Sequence, residues 1–377
     1  MRQVLSVSGD RKTITLNSTL QYRHYSDIEY YGDEFIEMRA EVGLLTRNVK
    51  YRGDPETTGV NQYGAHIMLH SFGDESLEGR ISYCEFFDVG QAFQLGRYPI
   101  HFHRIGVVSK SYIIGNAIWN TYNRAVTFHD VQELRLINNI AFKTMGHTFF
   151  IEDAIEENNI LDGNLVLLTR RSWSLLNTDQ TPGSFWITHP NNIFRNNHAA
   201  GSDRYGFWFD LMTNSIGPSA SSSICPINAK LGEFENNVAH SNGRYGLRIH
   251  HGHVPRERPC DPIKYNHLAA DHYSYNPIVT AHYRGLTSYK NGINGAISEA
   301  VGDVRFENFK VADNKVCGIE TSILSSIGDD LARVEGALII GHSANDIENS
   351  YSSSVRHGLI TPRSENFTVT GVNFYNF

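Results

Sequence analysis

His101, His103, His129, Glu152, Asp153 and Asp210 are the residues whose types and spacing could do chemistry. Most of them stand at fixed offsets in a recurring five-residue phrase. It reads Pro99-Ile100-His101-Phe102-His103, Ala125-Val126-Thr127-Phe128-His129 and Thr148-Phe149-Phe150-Ile151-Glu152. Three further copies are Ser184-Phe185-Trp186-Ile187-Thr188, Gly206-Phe207-Trp208-Phe209-Asp210 and Gly246-Leu247-Arg248-Ile249-His250. Aligned, the fifth positions form a column of His103, His129, Glu152, Thr188, Asp210 and His250, with His147, Asp130 and Asp153 close by in sequence. Hydrolysis of a glycoside needs a proton donor and a carboxylate facing it. Elimination from a uronate needs a base near the acidic sugar carbon and a cation for its carboxylate, for which Arg97, Arg104 and Arg248 are available. A hydrogen-bonded polar ladder without chemistry would use the same residues.

The third positions form a second column: His101, Thr127, Phe150, Trp186, Trp208 and Arg248. Its aromatic members would make an exposed strip beside the acids and imidazoles, suited to stacking on the C–H faces of a sugar chain. Candidate ligand-binding residues are therefore Arg97, Phe150, Trp186, Trp208 and Arg248. The competing expectation is that neighbouring insertions cover these rings as a second small core. His101-Phe102-His103 also has the H-x-H form of some metal sites, and His101, His103, His129 and Glu152 could supply the three or four ligands zinc requires. Strand alternation produces H-x-H unaided. No metal ligand or cofactor is therefore assigned, and a divalent cation is left open. H-E-x-x-H, G-x-S-x-G and P-loop patterns are absent.

The elements that must position these columns follow from the phrase itself. Its second and fourth residues are always apolar, so alternate side chains share a core face and the first, third and fifth face away. Asparagine precedes the fifth position by 13 residues in four copies: Asn116, Asn139, Asn197 and Asn237. The unit of about 22–26 residues is too short for a propeller blade, and its period of two excludes helical repeats. The expected fold is all-β: a right-handed parallel β-helix, one unit per rung, with asparagines stacked in the turns. Insertions at 169–183, 212–230 and 252–280 interrupt the rungs and would wall a groove or be tolerated excursions. Cys225 and Cys260 lie in the last two and could form a disulfide, whereas Cys84 and Cys317 are expected to be buried thiols.

Of the 377 residues, 40% are hydrophobic and 19% charged, as in a folded protein. The net charge of −7 excludes a general nucleic-acid footprint and leaves anionic ligands to local arginines. No apolar run reaches membrane-spanning length, and the first residues do not form a signal peptide. The chain starts in a strand-like stretch and stops partway through a repeat, so a fragment of a larger exported protein is expected, with membrane attachment only through segments outside it. Sequons at Asn17 and Asn366 suit export.

Several motifs carry a family resemblance. Gly96 to His103, Asn123 to His129, Phe149 to Asp153, Phe185-Trp186 through Asn192, Gly206 to Phe209 and Leu231 to Phe234 resemble the G8/parallel β-helix proteins. That group contains fibrocystin-L and cell-surface and secreted hyaluronidases related to the cell migration-inducing, hyaluronan-binding protein. Asn123 to Thr127, Leu175-Leu176-Asn177 and the two cysteine insertions are more similar to the fibrocystin-L branch. Val4 to His24 looks like the end of a G8 domain, implying a G8-like segment at 1–35 and a β-helix over 36–377. The resemblance implies an extracellular or cell-surface module that recognises glycan or matrix such as hyaluronan. Its alternatives are a hyaluronan-degrading glycosidase or lyase, and a structural spacer. His101, His103, His129, Glu152 and Asp153 are carried over as shared motif positions.

Overall fold

The computed structural model describes residues 1–71, 76–173, 176–261, 276–322, 331–346, 355–363 and 366–377. The chain divides into two compact units, Met1–Val42 and Gly43–Phe377. The first holds two antiparallel hairpins, Val4–Val7 with Ile14–Leu16 and Ile28–Tyr31 with Glu34–Glu37. The second is a right-handed parallel β-helix. Its strands fall into three parallel sheets of 10, 11 and 10 strands, and each strand pairs with the third one before and after it in the chain. One turn of the coil thus gives one strand to each sheet.

One of these sheets carries the phrase found in the sequence. Its central strands are Ile100–Val107, Val126–Gln132, Phe149–Ile151, Gly183–Ile187, Tyr205–Asp210, Tyr245–His250 and Asn294–Ser298. Ile100 pairs with Val126, Val126 with Phe149, Phe149 with Phe185, Phe185 with Phe207 and Phe207 with Leu247. The second and fourth residues of all six copies are at most 1% exposed and line one continuous core. Burying each such side chain favours folding by roughly 1.5–3 kcal/mol before conformational entropy is subtracted. A one-residue slip in any rung would turn this set outward, so the apolar pattern fixes the register.

The asparagines hold the turns. Asn116 donates to Asn139 Oδ1, Asn139 to Asn164, Asn164 to Asn197 and Asn197 to Asn237, through both backbone N–H and Nδ2, at 2.9–3.1 Å. All five are fully buried. The residue before each adopts a left-handed conformation: Gly115, Asn138, Gly163, Asn196 and Asn236, with φ between 53° and 67°. That geometry selects glycine or asparagine, which explains the repeated Asn-Asn pairs. Further ladders run from Asn159 to Asn192 and from Asn242 through Asn291 to Asn314.

The insertions begin and end slightly differently from the sequence reading. Thr169 and Arg170 complete the strand Leu165–Arg170 and Gly183 opens the next, so the first excursion covers 171–182. The second contains short 3-10 turns at Gly217–Ser219 and Pro226–Asn228. Of the third, residues 262–275 lie outside the described residues. Cys225 and Cys260 are joined in a disulfide. Cys317 is buried and Cys84 only half-buried, both as free thiols.

Candidate functional site

The third-position column does not form an exposed strip. Phe150, Trp186 and Trp208 are 4%, 5% and 7% exposed and pack with Tyr205 and the half-buried Tyr245 into a second apolar cluster. The cover is specific. Arg124, fully buried, lies with its guanidinium carbon 3.6 Å from the Phe150 ring centre. Asp179, from the first excursion, holds it through Nε–Oδ1 and Nη2–Oδ2 contacts of 3.1 and 2.7 Å. His147 lies 4.1 Å from Trp186, ring centre to ring centre. A sugar chain therefore does not find these faces open, and Phe150, Trp186 and Trp208 are core residues rather than a stacking platform.

The fifth-position column is also more enclosed than alternation alone implies, with His129, Thr188 and Asp210 buried and His103, Glu152 and His250 half-buried. It separates into two clusters. The first gathers His101, His103, His129, Glu152 and Asp153. His103 pairs with His129 across adjacent strands, with ring centres 4.6 Å apart. His101 sits 4.8 Å from His103 and from Tyr98, and its Nδ1 is 3.0 Å from the Gly96 carbonyl. His129 lies between two carboxylates, with Nε2 3.0 Å from Asp153 Oδ2 and Nδ1 3.5 Å from Glu152 Oε2. His101 Nε2, His103 Nδ1 and Glu152 Oε2 are buried without a hydrogen-bond partner.

These surroundings push the groups apart electrostatically. Burial drives His101 down to about 3 and, with the charge of His129, His103 down to about 4, so both imidazoles are neutral at physiological pH. For His129 burial acts in the same direction, but Asp153 and Glu152 outweigh it and raise its pKa. Burial raises Glu152, partly offset by His129. Asp153 is pulled up by burial yet held below the ordinary aspartate range by hydrogen bonds from His129 and Ser219. A carboxyl that retains its proton more readily thus adjoins one that stays ionised.

The second cluster joins Asp210, Arg248, His250, His251 and Glu299. Arg248 Nη2 lies 3.1 Å from Glu299 Oε1 and 3.0 Å from His250 Nδ1, which is itself 2.8 Å from Glu299 Oε2. His251 Nε2 is 3.5 Å from Asp210 Oδ1. Among the described residues, two three-residue sets place potential ligand atoms within 4.8 Å of one another: His101, His103 and His129, and Asp210, His250 and His251. Arg97 is exposed, with Nη1 3.4 Å from His66 Nε2. Asn17 and Asn366 are exposed.

Sequence reasoning missed three residues that shape these clusters. Asp179 lies in an excursion with no repeat to announce it. Arg124 was legible only as part of the Asn123-Arg124 motif, not as the lid of the aromatic cluster. Glu156, fully buried, accepts hydrogen bonds from Asp130 N and Asp153 N at 2.8 and 3.1 Å, and burial raises it to about 7. Its position four residues after Glu152 was the available signal.

Residues 62–247 match the model of the CEMIP beta-helix family. The chain is 37% identical to mouse fibrocystin-L over 100% of its own length, which is 10% of that protein. It is 31% identical to human cell surface hyaluronidase CEMIP2 over 96% of this chain and 30% of that one. To the mouse cell migration-inducing and hyaluronan-binding protein it is 30% identical, covering 92% of this chain and 30% of that one. The chain thus spans a tenth of fibrocystin-L and under a third of the hyaluronan-related proteins. The matched segment from Gln62 to Leu247, which is similar to the CEMIP beta-helix family, contains the whole of the first cluster and Asp210 of the second.

Proposed function

We propose that this chain is an extracellular or cell-surface β-helix module that engages a hyaluronan-class glycan on the face carrying the ionisable column, with residues 1–35 closing a G8-like domain. The observation that carries the reading is that column: His103, His129, Asp210 and His250 on one sheet, and Glu152 and Glu299 just past the ends of two of its strands, with the exposed cations Arg97 and Arg104 at one end and Arg248 towards the other. On a chain of net charge −7, a polyanion needs such local cations. The disulfide and the exposed sequons suit an oxidising, exported setting. Similarity to proteins named for hyaluronan supports the ligand class. The ligand is held by charge and hydrogen bonds, because the aromatic rings are enclosed.

A second reading is cleavage, favoured by the contrasting environments of Glu152 and Asp153: burial raises one carboxyl while hydrogen bonds lower its neighbour, and general acid chemistry uses carboxyls pushed apart in this way. One incubation with size-defined hyaluronan separates the two. Saturable binding without shortening, weakened by Arg97→Ala/Arg104→Ala, supports recognition. Shortening that disappears in Glu152→Gln supports cleavage. Neither binding nor shortening would leave a spacer and refute both readings.

A further inference from the structure

We propose that His101 Nε2, His103 Nδ1, His129 Nδ1 and Glu152 Oε2 form a site for one divalent transition-metal ion of the zinc class. Strand alternation explains why the histidines share a face, but it does not explain why their lone pairs are left unused. Buried polar atoms are ordinarily hydrogen-bonded, yet His101 Nε2, His103 Nδ1 and Glu152 Oε2 have no hydrogen-bond partner; the three histidines converge on one spot, and Glu152 Oε2 reaches it through His129 Nδ1 at 3.5 Å. His101 is itself only 1% exposed.

The outer partners fix the tautomers that a metal requires. The Gly96 carbonyl accepts from His101 Nδ1 at 3.0 Å, which leaves the Nε2 lone pair free. Asp153 Oδ2 accepts from His129 Nε2 at 3.0 Å, which places Nδ1 on the inner side, 3.5 Å from Glu152 Oε2, where a metal would take the place of the proton that the two carboxylates favour. A ligating histidine typically donates its second N–H to a carbonyl or a carboxylate in this way. One ligand nitrogen from each histidine already lies within 4.8 Å of the others. A tetrahedral ion with bonds of about 2.1 Å needs separations near 3.4 Å, so closure takes side-chain movements of about an ångström. Three imidazoles and one carboxylate favour zinc-like ions over calcium or magnesium, which prefer oxygen.

The second set is a built-in contrast. Asp210, His250 and His251 are equally close, but Arg248 already places a guanidinium nitrogen 3.0 Å from His250 Nδ1. A fixed cation there disfavours a second one. The metal proposal does not depend on glycan recognition, whereas it competes with Glu152 as a proton donor, because a ligating carboxylate has given up its proton.

The test strips the untagged protein with a chelator and titrates it with zinc by calorimetry, and with cobalt(II) by visible absorption. The expected result is one ion per chain, with the intense visible bands of tetrahedral cobalt. His103→Gln, at a half-buried position, should weaken binding by about 100-fold or more. Asp153→Asn should weaken it by about 10–100-fold through loss of orientation, and Asp210→Asn should change nothing. Sub-stoichiometric uptake, or uptake unaltered by His103→Gln in protein with wild-type circular dichroism, would overturn the proposal.

Discussion

The enclosed state of the aromatic cluster rests on one buried ion pair, and removing half of that pair is the sharpest perturbation available to stability. Arg124 and Asp179 are both fully buried. The guanidinium spends two contacts on Asp179 and approaches Tyr98 Oη at 3.2 Å. Asp179 Oδ1 additionally accepts from the His147 backbone N–H at 3.1 Å. Asp179→Ala therefore strands a cation against Phe150 and leaves an amide without its acceptor. Breaking a buried pair in this way costs about 3–5 kcal/mol. Replacing both partners, as Arg124→Met/Asp179→Leu, removes the uncompensated charge and should cost at least about 2 kcal/mol less than the sum of the single changes. Urea unfolding followed by tryptophan fluorescence reads this directly, because Trp186 and Trp208 lie in the covered cluster. The pH dependence has a defined sign. Burial raises Asp179, but His147 and Arg124 hold it below its ordinary value of 3.8. Its contribution is therefore complete above that value and lost as pH falls through the lower folded value. Asp179→Asn should lack this acid limb. A single substitution costing under 1 kcal/mol, or strictly additive effects in the double variant, would refute the lid.

Three further outcomes follow from the same contacts. Asn164→Ala removes the acceptor for Asn139 N and Nδ2 and should lower unfolding stability by about 2–3 kcal/mol; a loss under 0.5 kcal/mol would show that the ladder is decorative. Reducing the Cys225–Cys260 disulfide, which closes a separation of 35 residues, should cost about 4 kcal/mol by loop entropy, read as a lower urea midpoint in reductant and no shift in Cys225→Ser/Cys260→Ser. Trp186→Ala, at 5% exposure, should cost about 3–5 kcal/mol as a core cavity. A neutral effect on the thermal melt would return that ring to the surface.

The fold was legible because its determinants are local and repeated. Residues 100, 126, 149, 185, 207 and 247 pair in the order their apolar alternation implies. The four marked asparagines stack as their common interval implies. Asn164 escaped because the 171–182 excursion stretches its distance to Thr188 to 24 residues, breaking the interval while leaving the ladder intact. The columns were legible as columns, but their exposure was not. Alternation states which face a side chain takes and says nothing of what packs over it. The lid comes from Asp179 in an irregular segment and from Arg124 one residue before a copy of the phrase begins, and neither follows a period. The unused lone pair of His101 and the orientation of His129 likewise depend on where Gly96 and Asp153 fall in space. Histidine spacing alone did not separate a metal centre from a polar ladder; the orphaned atoms are what the proposed metal site adds to it.

The central claim is that local cations on the ionisable face hold the carboxylates of a hyaluronan-class chain. Its most direct test is a calorimetric titration of one hyaluronan oligosaccharide and its carboxyl-reduced counterpart into this protein and into Arg97→Ala/Arg104→Ala. The account predicts saturable binding of the native oligosaccharide, falling at least about tenfold on carboxyl reduction or on loss of the two arginines, and weakening with added salt. Equal affinity for the charged and reduced sugars, or no saturable binding of either, would contradict it.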